Sequence, residues 1–232
     1  MLVNGSDILS TYGAKLLSKD IQPAEITVYD DWLRKGLSPL YLGKQEKFKK
    51  IKMQFLISGA TDNTCVAYIS NFLTQLKVAV IKFDDLDHYY SCTLASCDSA
   101  RLIQPGYFLL NVEMHSGYGY TSEVTLTMDH VASLSPTIQG NLPAAVKLTI
   151  TTDGALASLT IGGFASSIII KNLSAGVPVV IDGETCLVTQ NGSNKFADLE
   201  TWDFPFLQPG ANTITLNNTA CVMTIKYKPK FL

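Results

Sequence analysis

Beyond residue 143 the sequence carries no helical period, and turn residues interrupt it too often for a helix to grow. Apolar, β-branched stretches recur there at spacings of about 8–12 residues, over 145–151, 156–161, 167–171, 177–181, 185–189, 212–216 and 222–227. Chain-reversing residues separate them, among them Asp153-Gly154, Gly162-Gly163, Asn172, Asp182-Gly183, Asn191-Gly192, Pro209-Gly210 and Asn217-Asn218. Strands this short must pair into sheets and stack those sheets to bury an apolar face, so the spacing predicts an all-β sandwich of jelly-roll type. In the last stretch Met223, Ile225 and Tyr227 alternate with Val222, Thr224, Lys226 and Lys228. Pro229 ends it, because proline has no N–H to donate to a ladder.

The first part follows a different pattern. Over 47–57, Ile51, Met53, Phe55 and Ile57 alternate with Lys50, Lys52 and Gln54, which predicts a strand with one buried face. Over 61–77, Cys65, Ile69, Phe72, Leu73 and Leu76 then fall at helical spacing, with Thr61 or Asp62 placed to cap the first turn. Strands over 78–83 and 89–94 flank the turn Asp84-Asp85-Leu86-Asp87, and strands over 107–114 and 123–128 flank the turn-like Ser116-Gly117-Tyr118-Gly119. One helix on a mainly antiparallel sheet makes this part α+β. Ser133-Leu134-Ser135-Pro136 and Gly140-Asn141-Leu142-Pro143 read as linker and turn, so the expected domains are 1–135 and 136–232.

Composition narrows the function classes. The 232 residues are 47% hydrophobic and 16% charged, against about 25% charged in an ordinary soluble domain. The mean hydropathy of +0.17 does not signal a membrane span. Apolar runs such as 78–81 and 168–170 are strand-sized, and none approaches the roughly 18–20 residues a spanning helix needs. The early acid in MLVNGSDILS and the lack of a basic start argue against a signal peptide. A net charge of −2 and a pI near 5.9 argue against a dedicated nucleic-acid binder. Residues 1–132 hold 12 basic and 14 acidic side chains and the remainder 6 and 6, so charge is denser in the first part. The five cysteines, Cys65, Cys92, Cys97, Cys186 and Cys221, form no C-x-x-C pair. They read as reduced, mostly buried thiols made in a cytoplasm, not as a disulfide framework or a zinc site.

Sites of chemistry are sparse. The three histidines, His88, His115 and His130, fall in a hairpin turn, at a strand end and near the linker, and read as surface or turn residues. No G-x-S-x-G elbow, H-E-x-x-H or phosphate loop occurs, which predicts no catalytic, cofactor or metal residues and a protein that is not an enzyme. Asp84, Asp85, Asp87 and His88 could supply oxygen and nitrogen ligands to a metal, but acids are also common in hairpin turns because they bond nearby backbone. The run Lys44, Lys47, Lys49, Lys50 and Lys52 fits a solvated strand edge or a polar subunit contact, with an anionic partner as the alternative. Trp202, Phe204 and Phe206 alternate with Asp203 and Pro205. They fit a core anchor, or a surface on which Trp202 stacks against a sugar ring.

Three segments resemble the distal tail proteins of long non-contractile-tailed bacteriophages, the siphoviruses. Val3-Asn4-Gly5-Ser6-Asp7 with Tyr12-Gly13-Ala14-Lys15-Leu16-Leu17 is similar to that family's opening. Lys49-Lys50-Ile51-Lys52-Met53-Gln54-Phe55 and the helix to Leu76 resemble its strand–helix step. Phe204-Pro205-Phe206-Leu207-Gln208-Pro209-Gly210-Ala211-Asn212-Thr213-Ile214, followed by Thr224-Ile225-Lys226-Tyr227-Lys228-Pro229-Lys230-Phe231-Leu232, resembles its ending. The resemblance implies an N-terminal belt domain that assembles into a homohexameric ring, and a C-terminal galectin-like sandwich. It implies a virion protein made in the host cytoplasm and placed at the distal end of the tail. There the ring would join the tail tube protein to the tail-tip protein, with receptor-binding proteins as further partners. DNA would only pass through its channel, with no membrane insertion and no cofactor. The sugar-binding pattern of galectins, H-x-N-P-R with a downstream W-x-x-E-x-R, is missing, and Trp202 lacks that spacing. The alternative function is a carbohydrate- or host-cell-surface-binding module acting in adsorption.

Overall fold

Leu2–Val3 and Ser6–Asp7 pair as a tight hairpin around Asn4 and Gly5, whose φ angles of 51° and 80° suit the twist of a two-residue turn. The Asp7 carboxylate then accepts from the Ser10 N–H at 3.0 Å and caps a short helix, Ile8–Tyr12. Gly13 ends that helix with φ 56°, and a Cβ there would lie 2.3 Å from the Ser58 carbonyl oxygen, so only glycine fits. This helix is additional to the one expected. Its five residues are too few to display an apolar period, and its caps are its only sequence signal.

The computed structural model describes residues 1–34 and 36–232. These form two compact units, Met1–Gly119 with Leu232, and Tyr120–Phe231.

Across the sheet of the first unit the strands run Ser6–Asp7, Leu2–Val3, Val78–Lys82, Tyr89–Arg101, Tyr107–Tyr120, Lys49–Ser58 and Ala14–Ile21. Lys49–Ser58 is central, paired with Ala14–Ile21 on one side and Tyr107–Tyr120 on the other. Its odd residues Ile51, Met53, Phe55 and Ile57 are buried, as their alternation predicts. The helix Asp62–Leu76 covers that face. Thr61 Oγ1 accepts from the Thr64 N–H at 3.2 Å to cap it, and Cys65, Phe72 and Leu76 are buried with Ile69 and Leu73 packed beside them. Phe72 meets Phe55 edge-on, ring centres 5.2 Å apart.

Ser116-Gly117-Tyr118-Gly119 is not a turn but part of Tyr107–Tyr120. Ser116 is buried and pairs with Lys49, so ladder pairing overrides local turn propensity. Gly119 serves close packing instead, because a Cβ there would lie 3.1 Å from the Tyr90 ring.

In the second unit one sheet runs Val124–Asp129, Cys221–Tyr227, Ala144–Thr152, Val179–Asp182, Leu187–Gln190 and Ser193–Asn194. The other runs Ser133–Leu134, Ile214–Leu216, Leu156–Gly162, Ile168–Leu173 and Leu199–Glu200. Leu148, Ile150, Met223 and Ile225 of the first sheet share a single buried cluster with Leu159, Ile161, Ile170 and Ile214 of the second, which makes this unit a β-sandwich. All seven stretches expected beyond residue 143 contain strands. The division between units falls at Gly119–Tyr120, earlier than the expected 135. Val124–Asp129 pairs with Cys221–Tyr227 over six residues, from Val124–Tyr227 to Asp129–Val222, and Met128 is buried in the sandwich core. Ser133–Leu134, in the expected linker, pairs with Ile214–Leu216.

Phe72→Ala should destabilise the first unit by about 3–5 kcal/mol through the cavity it leaves. In the second unit, Gly163 has φ 96° and a Cβ there would lie 2.0 Å from the Thr213 carbonyl oxygen. Gly163→Ala should therefore destabilise that unit by more than about 1 kcal/mol. Denaturant unfolding of each variant checks both.

Candidate assembly surface

Ile26–Asp31 and Leu40–Glu46 leave the sheet of the first unit as a two-stranded arm. Ile26–Asp31 pairs with Leu40–Glu46 from Ile26–Glu46 to Asp31–Leu40, with a bulge between Tyr29 and Asp30. The Lys47 N–H donates to the Glu25 carbonyl at 2.8 Å and closes its base. On one face Lys44 pairs with Glu46 at 2.7 Å, and on the other the Tyr29 hydroxyl donates to Gln45 Oε1 at 2.8 Å. None of the arm's described residues belongs to either buried cluster. Ile26, Val28, Tyr29, Trp32, Leu33, Leu37, Leu40, Tyr41 and Leu42 are all exposed. Alternating strand patterns missed this hairpin because apolar residues lie on both of its faces. The available signal was the density of large apolar residues between the turn-forming Pro23 and Gly43.

The lysines expected to share one surface are divided by the structure. Lys44 lies on the arm and Lys47 at its base, where it faces Glu25 at 3.6 Å. Burial lowers the pKa of Lys49. Lys50 and Lys52 lie on the open face of a central strand, so they guard no edge. Lys52 stands in register between Asp20 and Glu113, a cross-strand row of alternating charge. This row floors a concavity of about 570 Å³ that Ser96, Cys97 and Asp98 also line.

The acids of the expected turn each have a separate partner. Asp84 holds the Met1 amino group at 2.7 Å, Asp85 pairs with Lys19, and Asp87 faces Lys82 at 3.9 Å. Among the described residues no group of three or more His, Cys, Asp or Glu is arranged to hold a metal ion. His115 is not at a strand end but inside Tyr107–Tyr120, stacked on Phe48 with ring centres 3.7 Å apart. Burial pushes the Cys92 thiol up to about 12, which keeps it protonated and a poor nucleophile at neutral pH. Cys65 and Cys221 are also buried, while Cys97 and Cys186 are exposed.

The structure separates the three aromatics that alternate near residue 204. Phe204 packs against the sandwich core, and Phe206 joins a short strand paired with Ala145. Trp202 is 95% exposed, so it anchors no core.

Residues 139–231 match the family described as siphovirus-type tail component, C-terminal domain. Comparison with curated proteins found no significant match. Among solved structures, the fold is similar to the SPP1 Dit protein, described as a paradigm of the hub adsorption apparatus in phages that infect Gram-positive bacteria. That match has a TM-score of 0.80 at 12% identity and covers 100% of this chain and 98% of the other. A chain of the phage P2 baseplate in its activated conformation with Ca is similar at a TM-score of 0.57 and 10% identity, covering 97% and 93%. The strontium form of that baseplate gives 0.59, with the same identity and coverage. The resemblance to siphovirus distal tail proteins thus rests on sequence over 139–231 and on fold along the whole chain.

His130, with φ 54°, is clamped between two carboxylates of the second unit, Asp129 Oδ1 at 2.5 Å and Asp153 Oδ2 at 2.9 Å. Hydrogen bonds to Asp129 and then Asp153 raise its pKa above 6.5. A raised folded-state pKa means that the clamp contributes fully below the unfolded value and is lost as pH rises through the folded one. The thermal stability advantage of the wild type over His130→Gln should therefore be largest below about pH 6.5 and shrink as the pH rises above it.

Proposed function

We propose that this chain is the structural, non-enzymatic hub of a siphovirus tail. Its first unit is a belt domain that closes with other copies into a hexameric ring between the tail tube protein and the tail-tip protein. Receptor-binding proteins attach to the same assembly, and DNA passes through its channel. The second unit is a galectin-like domain. The protein is made in the host cytoplasm and resides at the distal end of the virion tail.

The observation that carries this reading is the arm. A two-stranded hairpin with no packing partner is marginally stable in water at best. Contiguous exposed apolar surface on an otherwise well-buried protein marks an interaction site. The arm is regular along Ile26–Asp31 and Leu40–Glu46 while its large side chains lie in solvent, which supports a contact that another copy covers. A closed cyclic ring uses heterologous contacts, in which one patch of each subunit meets a different patch of the next, and a projecting arm suits that geometry.

Light scattering of the purified chain should give the mass of six copies, with rings visible by negative stain. The double variant Val28→Asp/Leu42→Asp should run as a monomer that still folds, with wild-type strand content by circular dichroism, because both side chains are exposed in the single chain. A wild type that stays monomeric even with its tail-tip partner, or a variant that still forms hexamers, would sink the reading.

A further inference from the structure

We infer that the face of the second unit around Trp202 is a saccharide-binding site. This does not rest on the hub reading. A tryptophan in a well-packed domain is normally among its most buried residues on average, because its large ring contributes so much to folding. Trp202 contributes almost none of its surface to the core.

Its loop is nevertheless ordered by a closed set of hydrogen bonds. Thr201 Oγ1 donates to the Asp203 carbonyl at 2.7 Å, the Asp203 N–H donates to Ser166 Oγ at 3.2 Å, and the Ser166 and Thr201 hydroxyls are 3.0 Å apart. The backbone that carries the indole is thus pre-organised, so a ligand pays only to order the side-chain rotamer of Trp202.

Beside the indole is an open concavity of about 570 Å³, lined by Ser167, Ile169, Leu199, Glu200 and Thr201. Ile169 and Glu200 lie opposite each other in register, and Lys171 pairs with the Glu200 carboxylate. The site thus offers one aromatic plane, a little aliphatic floor, two hydroxyls and a carboxylate. A pyranose presents the complement: a face of polarised C–H bonds for the negative face of the indole, and a rim of hydroxyls that donate to a carboxylate and exchange hydrogen bonds with Ser and Thr. The volume is that of a small-molecule site. The Lys171–Glu200 pair leaves the site without the net positive charge that a polyanion needs, so the occupant is a neutral glycan rather than nucleic acid. A protein partner would call for several large apolar neighbours around the tryptophan, and the mixed lining does not supply them.

The test is to probe the full-length chain on a microarray of neutral oligosaccharides and bacterial surface polysaccharides, and then to titrate the strongest binder. Wild type should bind at least one glycan saturably. Trp202→Ala should weaken that binding by roughly tenfold or more, Trp202→Phe should retain part of it, and Trp32→Ala on the arm should leave it unchanged. Trp202→Ala should also keep the wild-type melting temperature, since the side chain is exposed. No glycan signal above a heat-unfolded control, or equal binding by Trp202→Ala, overturns the proposal. So does an effect of Trp202→Ala on solution mass without glycan binding, which would make the indole a protein contact. Ring formation by the wild type, measured separately, stands or falls independently.

Discussion

Each unit is built around one strand that has hydrogen-bonded neighbours on both sides and buries every second side chain. In the first it is Lys49–Ser58, in the second Ala144–Thr152, which pairs with Cys221–Tyr227 and Val179–Asp182. Because the side-chain period is two, a slip of one residue in either register would turn Phe55 or Leu148 out to water and bring Gln54 or Lys147 into the core. This alternation disfavours any one-residue slip, so these two strands fix the position of their neighbours. The helix Asp62–Leu76 can then pack only on the face that Phe55 presents.

The same constraint explains which sequence readings succeed. The alternation of Ile51 to Ile57, the spacing of Cys65 to Leu76 and the turn residues from Asp153 to Asn218 each record a face that is buried within the chain. A side chain that must be apolar for intramolecular packing leaves a periodic signal. The opening motif is legible on other grounds. Asn4, Gly5, Asp7 and Gly13 serve backbone geometry, through positive φ angles at the turn and helix end and a carboxylate cap between them.

The misread segments share a different cause. Val124–Asp129 has a readable strand pattern, but alternation says only that one face is covered and not which strand lies alongside; its partner is nearly a hundred residues away. Ser116 to Gly119 has the composition of a turn, yet pairing with Lys49 and packing under Tyr90 decide its conformation. The arm, with apolar residues on both faces, has no intramolecular reason to alternate, and Trp202 lies in an aromatic cluster of which only Phe204 joins the core. For both, the residue type was visible and the exposure was not.

By itself, then, the sequence determined the two architectures, a helix-covered antiparallel sheet and a sandwich of short strands, because each follows from local periodicity and turn chemistry. It also placed the family resemblance in the residues that shape the first turns and the last strand. Only the tertiary structure decided where one unit ends and the next begins, and which apolar residues remain in water. Those outcomes depend on pairing between distant segments, and the solvent exposure of Leu42 or Trp202 is a property of everything that does not pack against them.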